Sequence, residues 1–386
     1  MKMSKTAVTL GAVLALAACS DESPVAGRAT AAAPLLSAAV NGIDGEYIVV
    51  LKDGANPRSV AAIAGVAPGF VYTAALNGFS ASLNHGQLTA LRHNPNVEYV
   101  EQQQLMSIET TQSGATWGLD RIDQTSNTLN GTYVYNATAS NVTAYVIDTG
   151  VLPTHTQFGG RASSVYNAVG GSANDCNGHG THVAGTIGGS TYGVAKAVRI
   201  RGVKVLSCSG SGSTAGIIAG VDWVRLNATK PAVANLSLGG GFSSATNTAV
   251  NNLANSGVFV AVASGNSNAN ACNYSPASAA NVTSVNASTS TGAKASFSNY
   301  GSCTHLYAPG QSITSAWYTS TTATNTISGT SMASPHVAGV GALYLAGNPS
   351  ASNSTVRSWI INNATANAIS GNPSGTANRL LYKSTL

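Results

Sequence analysis

The sequence predicts an α/β protein: a parallel sheet with helices on both faces, preceded by a small α+β domain. Three observations carry this. After residue 110, apolar strand-like runs alternate with helical ones, the sign of a parallel sheet covered on both sides. Before residue 110, short patterns follow in the order β-α-β-β-α-β. Charged residues make up only 8% of the 386 while 44% are hydrophobic, so a large core can form. The net charge of +5 is not gathered into a basic run, so no nucleic-acid partner is expected.

Taken in order, Lys2 and Lys5 precede an apolar run over 7–16 that closes with Leu16-Ala17-Ala18-Cys19. That is a secretory signal, too short to span a membrane. Its end reads either as a bacterial lipoprotein box, with Cys19 bearing the lipid, or as a plain signal peptide. Residues 1–19 are therefore the signal, and 20–44, without a clear period, a linker. Residues 45–109 form the small domain. Strands are expected at 47–51, 70–72, 79–83 and 97–101, and helices at 57–64 and 88–93, with Asn77-Gly78 as a hairpin turn. This order fits a ferredoxin-like unit. Eight of the thirteen carboxylates precede residue 110.

In 110–386 the strands are expected at 144–147, 200–205, 233–237 and 258–263. Helices are expected at 179–187, 214–226, 246–256 and 332–345. Active sites in such sheets lie at the carboxyl ends of strands. Asp148 follows the first of these strands, where a buried carboxylate is costly unless paired; alone it reads equally well as a turn residue. His179 stands between Gly178 and Gly180 just ahead of a helical run, and His182 reads as structural. Asn266 closes Ala263-Ser264-Gly265-Asn266, where it can donate to a developing oxyanion or simply make a turn. Ser331 opens the last helix, whose unpaired N–H groups favour an anion; a lone serine there is usually a cap. Pro335 reads as close enough to the helix start for its missing N–H to cost little. Four cysteines beyond Cys19 imply disulfides with three pairings open, and no C-x-x-C spacing supports zinc.

The order Asp148, His179, Ser331 and three strings carry a resemblance. Val146-Ile147-Asp148-Thr149-Gly150-Val151, His179-Gly180-Thr181-His182-Val183-Ala184-Gly185 and Gly329-Thr330-Ser331-Met332-Ala333-Ser334-Pro335-His336 resemble the motifs of subtilisin-like serine peptidases (the S8 family). The likeness covers essentially all of 110–386. Trp117-Gly118-Leu119-Asp120-Arg121-Ile122-Asp123-Gln124 and Asn273-Tyr274-Ser275-Pro276-Ala277-Ser278 are similar to the proteinase K branch, in particular its aqualysin-like bacterial enzymes. Residues 45–106 resemble the family's inhibitory, chaperone-like propeptide.

The resemblance implies a secreted endopeptidase with a subtilisin-like sheet. Ser331 would be the nucleophile, His179 its base, and Asp148 the group that orients the imidazole. Asn266 and the Ser331 N–H would form the oxyanion hole. Gly210-Ser211-Gly212 and Ser237-Leu238-Gly239 would be the two edges holding an extended peptide. Ala263-Ser264-Gly265 would line the primary pocket. With no carboxylate there, broad cleavage after apolar or aromatic residues is expected. The resemblance also implies disulfides Cys176–Cys208 and Cys272–Cys303.

No cofactor is expected for catalysis. One structural calcium ion is expected at Asp120, Asp123 and Gln124, with Asn130 and Thr132 as further donors; the alternative is that the two acids are surface or capping carboxylates. His305 stands where the proteinase K type carries a calcium-binding Asp, so that second site is not expected. The partners implied are polypeptide substrates and the chain's own propeptide, acting as an intramolecular inhibitor on a monomer. Contact with a membrane would come only through a lipid on Cys19 of the precursor. A cut between about Met106 and Thr111 would start the mature chain near Thr110 and release it from any anchor. Two other readings compete: a catalytically silent binding protein on the same fold, and an anchored protein that keeps its small domain. Esterase activity would be secondary.

Overall fold

A computed structural model describes residues 31–37, 42–104 and 110–386. The signal segment with Cys19, most of 20–44 and most of the expected cleavage segment lie outside the described residues. The chain divides into two units, Met1–Met106 and Ser107–Leu386.

The small unit contains β1 (Leu35–Leu36), β2 (Gly42–Leu51), α1 (Pro57–Ile63), β3 (Phe70–Tyr72), β4 (Gly78–Ser82), α2 (His85–Arg92) and β5 (Val97–Gln104). Both helices begin where an asparagine side chain accepts a first-turn N–H: Asn56 from Ser59, and Asn84 from Gln87. The sheet runs β1-β5-β2-β4-β3, the arrangement expected from the β-α-β-β-α-β order. Val49, Leu51, Val60, Phe79, Leu91 and Val100 fill its core.

Two expectations need correction here. The stretch read as linker supplies β1 and the start of β2. Two leucines are too short a signal to show a period, but β5 offers them a parallel partner, Leu35 opposite Val100. Asn77-Gly78 is not a hairpin turn either. Gly78 already pairs with Tyr72 inside β4, so residues 73–77 make the connection. Glycine is needed there because a Cβ would meet the Val49 carbonyl oxygen at 2.3 Å. Asn77 instead donates to the carbonyls of Lys52 and Ala55.

The large unit opens with β6 (Thr110–Ser113), α3 (Trp117–Ile122), β7 (Thr132–Tyr135), β8 (Thr143–Asp148), β9 (Ala162–Asn167), α4 (His179–Gly188) and β10 (Arg199–Lys204). It continues with α5 (Thr214–Asn227), β11 (Ala232–Leu236), β12 (Gly240–Gly241), α6 (Ser244–Asn255), β13 (Phe259–Ala263), β14 (Tyr274–Ser275) and β15 (Thr283–Ser288). Then come β16 (Leu306–Pro309), β17 (Ile313–Ala316), β18 (Thr324–Ile327), α7 (Thr330–Gly347), α8 (Asn353–Asn363), β19 (Thr365–Ala366) and β20 (Arg379–Leu380).

The main sheet has the order β19-β20-β16-β15-β13-β11-β8-β10-β9. It is parallel from β20 to β9, and only β19 is antiparallel to its neighbour. Alternation along β8 shows how both faces are used. Ala144 and Val146 face one core, with Val183 of α4 and Val337 of α7. Tyr145 and Ile147 face the other, with Val221 of α5 and Leu253 of α6. Each such fully buried Val or Ile contributes about 1.5–3 kcal/mol. With both faces covered, the strand is apolar from Ala144 to Ile147 and ends on the carboxylate of Asp148.

Candidate active site

Asp148 is the last residue of β8 and has no solvent exposure. Its Oδ1 accepts from the Thr149 N–H at 2.7 Å and pairs with His179 Nδ1, also at 2.7 Å. His179 is the first residue of α4, and its side chain is a quarter exposed. The approach is close because Gly180 carries no side chain: a Cβ there would lie 2.1 Å from the Gly150 carbonyl oxygen. Burial would pull the His179 imidazole down, but Asp148, by charge and by hydrogen bond, and then Asp175 outweigh it. The imidazolium is therefore held above its ordinary value. His182, one turn on, is buried, and its Nε2 lies 2.9 Å from the Ile313 carbonyl. Burial pushes it down to about 4, so it is a neutral structural histidine.

Ser331 is the second residue of α7, whose N-cap is Gly329. Its hydroxyl donates to the Ser237 carbonyl at 3.2 Å. Asn266 lies just past β13. Its Oδ1 accepts from both the N–H and the hydroxyl of Thr330, each at 2.8 Å, and this fixes which way the amide points. Its Nδ2 is left facing the space beside Gly329. A Cβ built on Gly329 would lie 3.4 Å from that Nδ2 and 3.5 Å from the Ser331 nitrogen. Two donors therefore bracket one small vacant position.

Two pockets meet along Leu238 and Gly239. One, of about 440 Å³, is lined by His179, Gly210, Ser211, Gly212 and Ser237, together with Thr149, Asn177, Leu206 and Ile217. The other, of about 220 Å³, is lined by Ala263, Ser264, Gly265, Asn266 and Ser331, with Gly240, Gly241, Tyr274, Ser275 and Ala277. No carboxylate lines either pocket. All nine residues expected to hold substrate line one or the other. Cys176 is bonded to Cys208 and Cys272 to Cys303; the first bridge links the turn before His179 to the segment leading into Gly210.

The residues expected to hold calcium gather where α3 ends. Asp120 is buried; it accepts from the Gln124 amide at 3.0 Å and from the Asn130 and Gly131 N–H groups at 3.3 and 2.6 Å. Asp123 Oδ2 accepts from the Val134 N–H at 2.7 Å, while its Oδ1 is buried with no hydrogen-bond partner. Asn130 Oδ1 accepts from the N–H and hydroxyl of Thr132 at 2.9 and 2.6 Å. Burial raises the Asp123 carboxyl from its ordinary value. Among the described residues no three His, Cys, Asp or Glu side chains gather as a metal-binding group.

Sequence reasoning missed Thr330, which orients Asn266, and Asp175, which organises the turn around His179. Both could have been flagged. Thr330 is the middle residue of the Gly-Thr-Ser string, and Asp175 is one of only five carboxylates after residue 110.

The chain is similar to known proteins in both of its units. Residues 139–379 match the subtilase family, and residues 67–109 match peptidase inhibitor I9. An extracellular serine proteinase of Thermus sp. (strain Rt41A) is 51% identical, over 96% of this chain and 97% of its own length. An alkaline serine exoprotease A of Vibrio alginolyticus is 53% identical over 82% of this chain and 60% of its own length. The crystal structure of a cold-adapted subtilisin-like serine proteinase superposes with a TM-score of 0.68 at 55% identity, covering 70% of this chain and 99% of that one. The chain belongs to the subtilase family of serine endopeptidases and carries an I9 inhibitor segment ahead of its peptidase domain.

Proposed function

We propose that this endopeptidase is exported and cleaves proteins with broad specificity, through an acyl-enzyme on Ser331, after cutting itself from its own precursor. The observation that carries the reading is the pairing of a 2.7 Å Asp148–His179 contact with two donors converging beside Ser331. His179, held as a neutral base with Nδ1–H toward Asp148, takes the Ser331 hydroxyl proton as the oxygen attacks the peptide carbonyl. The carbonyl oxygen becomes an oxyanion between Asn266 Nδ2 and the Ser331 N–H. His179 then gives the proton to the leaving amine, and water repeats the sequence in reverse to free the acid. An extended substrate adds as a strand between the 210–212 and 237–239 edges. A pocket at Ala263-Ser264-Gly265 without a carboxylate favours apolar or aromatic side chains over Lys or Arg. Export is supported by the signal segment and by the relative named as extracellular.

The test is covalent labelling with a serine-directed phosphonate followed by peptide mapping. Label on the peptide carrying Ser331, absent from His179→Ala, is expected. No label on folded protein would favour a silent binding protein on this fold.

The Asp120–Asp123 cluster fits a structural calcium ion. A buried carboxylate oxygen on Asp123 has no donor, and a hard cation supplies what such an oxygen lacks. Asp120, Asp123, Gln124, Asn130 and Thr132 would hold the ion, which would pin the end of α3 to the 130–132 loop. A chelator should speed thermal inactivation of the wild type and leave Asp123→Asn no further affected. Equal sensitivity of both would rule the cluster out.

A further inference from the structure

Beside the Asp148–His179 pair lies a second buried carboxylate that the reaction does not consume. Asp175 is 7% exposed and accepts five hydrogen bonds. Its Oδ1 takes the Thr149 hydroxyl and the Asn177 and Gly178 N–H groups, each at 2.9 Å. Its Oδ2 takes the N–H and hydroxyl of Thr181 at 2.9 and 2.6 Å. Thr149 follows Asp148, and residues 177–181 surround His179. One carboxylate thus ties the end of β8 to the turn that delivers the histidine. The Thr149 hydroxyl extends the link by accepting from the Gly180 N–H at 2.9 Å.

We propose that Asp175 is a positioning residue for the reaction: it holds His179 against Asp148 and keeps a fixed negative charge beside the imidazole. The inference rests on His179 being the general base. Four ionisable groups face that site: Asp148 from β8, Asp175 from the turn before α4, His182 from α4 itself and Lys204 from the end of β10. Lys204 is buried, donates to the Thr149 carbonyl, and sits 3.5 Å from Cys176 Sγ. It feels both carboxylates. Five donors alone would explain an aspartate as a purely structural turn-former. The charge effect is what distinguishes the two roles.

The test is the acid limb of kcat/KM for a neutral peptide amide, which reports the free-enzyme base, measured on mature enzyme obtained from the full-length chain. A nearby charge lost at low effective dielectric moves such a limb by roughly half to one pH unit. Removing a negative charge destabilises the imidazolium, so Asp175→Asn should shift the limb down by that amount and lower kcat more than it changes KM. Asp175→Glu keeps the charge with poorer geometry; it should restore the limb while kcat stays low. An unmoved or raised limb in Asp175→Asn overturns the proposal. If Asp175→Asn does not accumulate folded, Thr149→Val decides: it removes the hydroxyl through which Asp175 holds the end of β8, so kcat should fall more than KM changes, and an unchanged kcat in the folded variant overturns the proposal. His179→Ala, assayed alongside, separately tests the base assignment, because activity that survives it would remove that reading and not only this one.

Discussion

At Gly329 the absence of one carbon leaves room for chemistry. Its φ of 161° is extended backbone that any residue adopts, so the glycine is not there to relieve strain. An added Cβ would make ordinary contacts at 3.4 and 3.5 Å with the two proposed oxyanion donors, occupying the place proposed for the oxyanion. Gly329→Ala should therefore fold and bind peptide but lose about 10²–10³-fold in kcat, the cost known for losing one such donor in subtilisin. Asn266→Ala should match it. Steady-state kinetics beside a thermal melt checks both, and a Gly329→Ala enzyme of normal kcat would contradict the oxyanion assignment. Asn266 and Ser331 were legible in the sequence as residue types at a strand end and a helix start. The vacancy between them was not, because it depends on the Thr330 contacts that turn the Asn266 amide.

Helix α7 shows how an element can serve a single atom. Pro335 is the sixth residue of the helix, past the first turn, so the reading that its missing N–H costs little needs correction. The bond it cannot make is the one to the Ser331 carbonyl, four residues back. Ser237 makes that bond instead, its hydroxyl donating to the Ser331 carbonyl at 2.7 Å. Behind it, the Asn235 amide donates to Ser237 Oγ at 2.9 Å and accepts from Ser334 Oγ at 2.6 Å. The helix thus gives up one internal bond, and the proposed substrate edge is fastened to the proposed nucleophile. Ser237→Ala leaves that carbonyl without its partner and should destabilise by about 1–3 kcal/mol, seen as faster thermal inactivation of phosphonate-blocked enzyme, with reduced kcat in the unblocked form. Unchanged inactivation would show the contact to be incidental.

Across the whole molecule, legibility followed chemistry. Strands β8, β10, β11 and β13 were readable because burial on both faces makes them continuously apolar. Strand β15 was not. Thr283, Ser284, Asn286 and Ser288 break its apolar run, yet all four are fully buried, with Asn286 donating to Thr304 and ladders to β13 and β16 on either side. Polar side chains hide a central strand when neighbouring strands satisfy its backbone. The paired ribbons, β6 with β7 and β17 with β18, gave too few residues for a period to show. The candidate site was the better-read part, because its chemistry demands particular residue types in a fixed chain order.

Expressing the full chain as wild type and as Ser331→Ala decides whether Ser331 is the nucleophile of an enzyme that matures itself. Intact mass and N-terminal sequencing give the answer. The wild type is expected to lose its first hundred or so residues and begin near Thr110, while Ser331→Ala stays joined to its I9 segment. A Ser331→Ala chain that, expressed alone in a protease-deficient host, is cut at the same site and still hydrolyses a peptide substrate would contradict it.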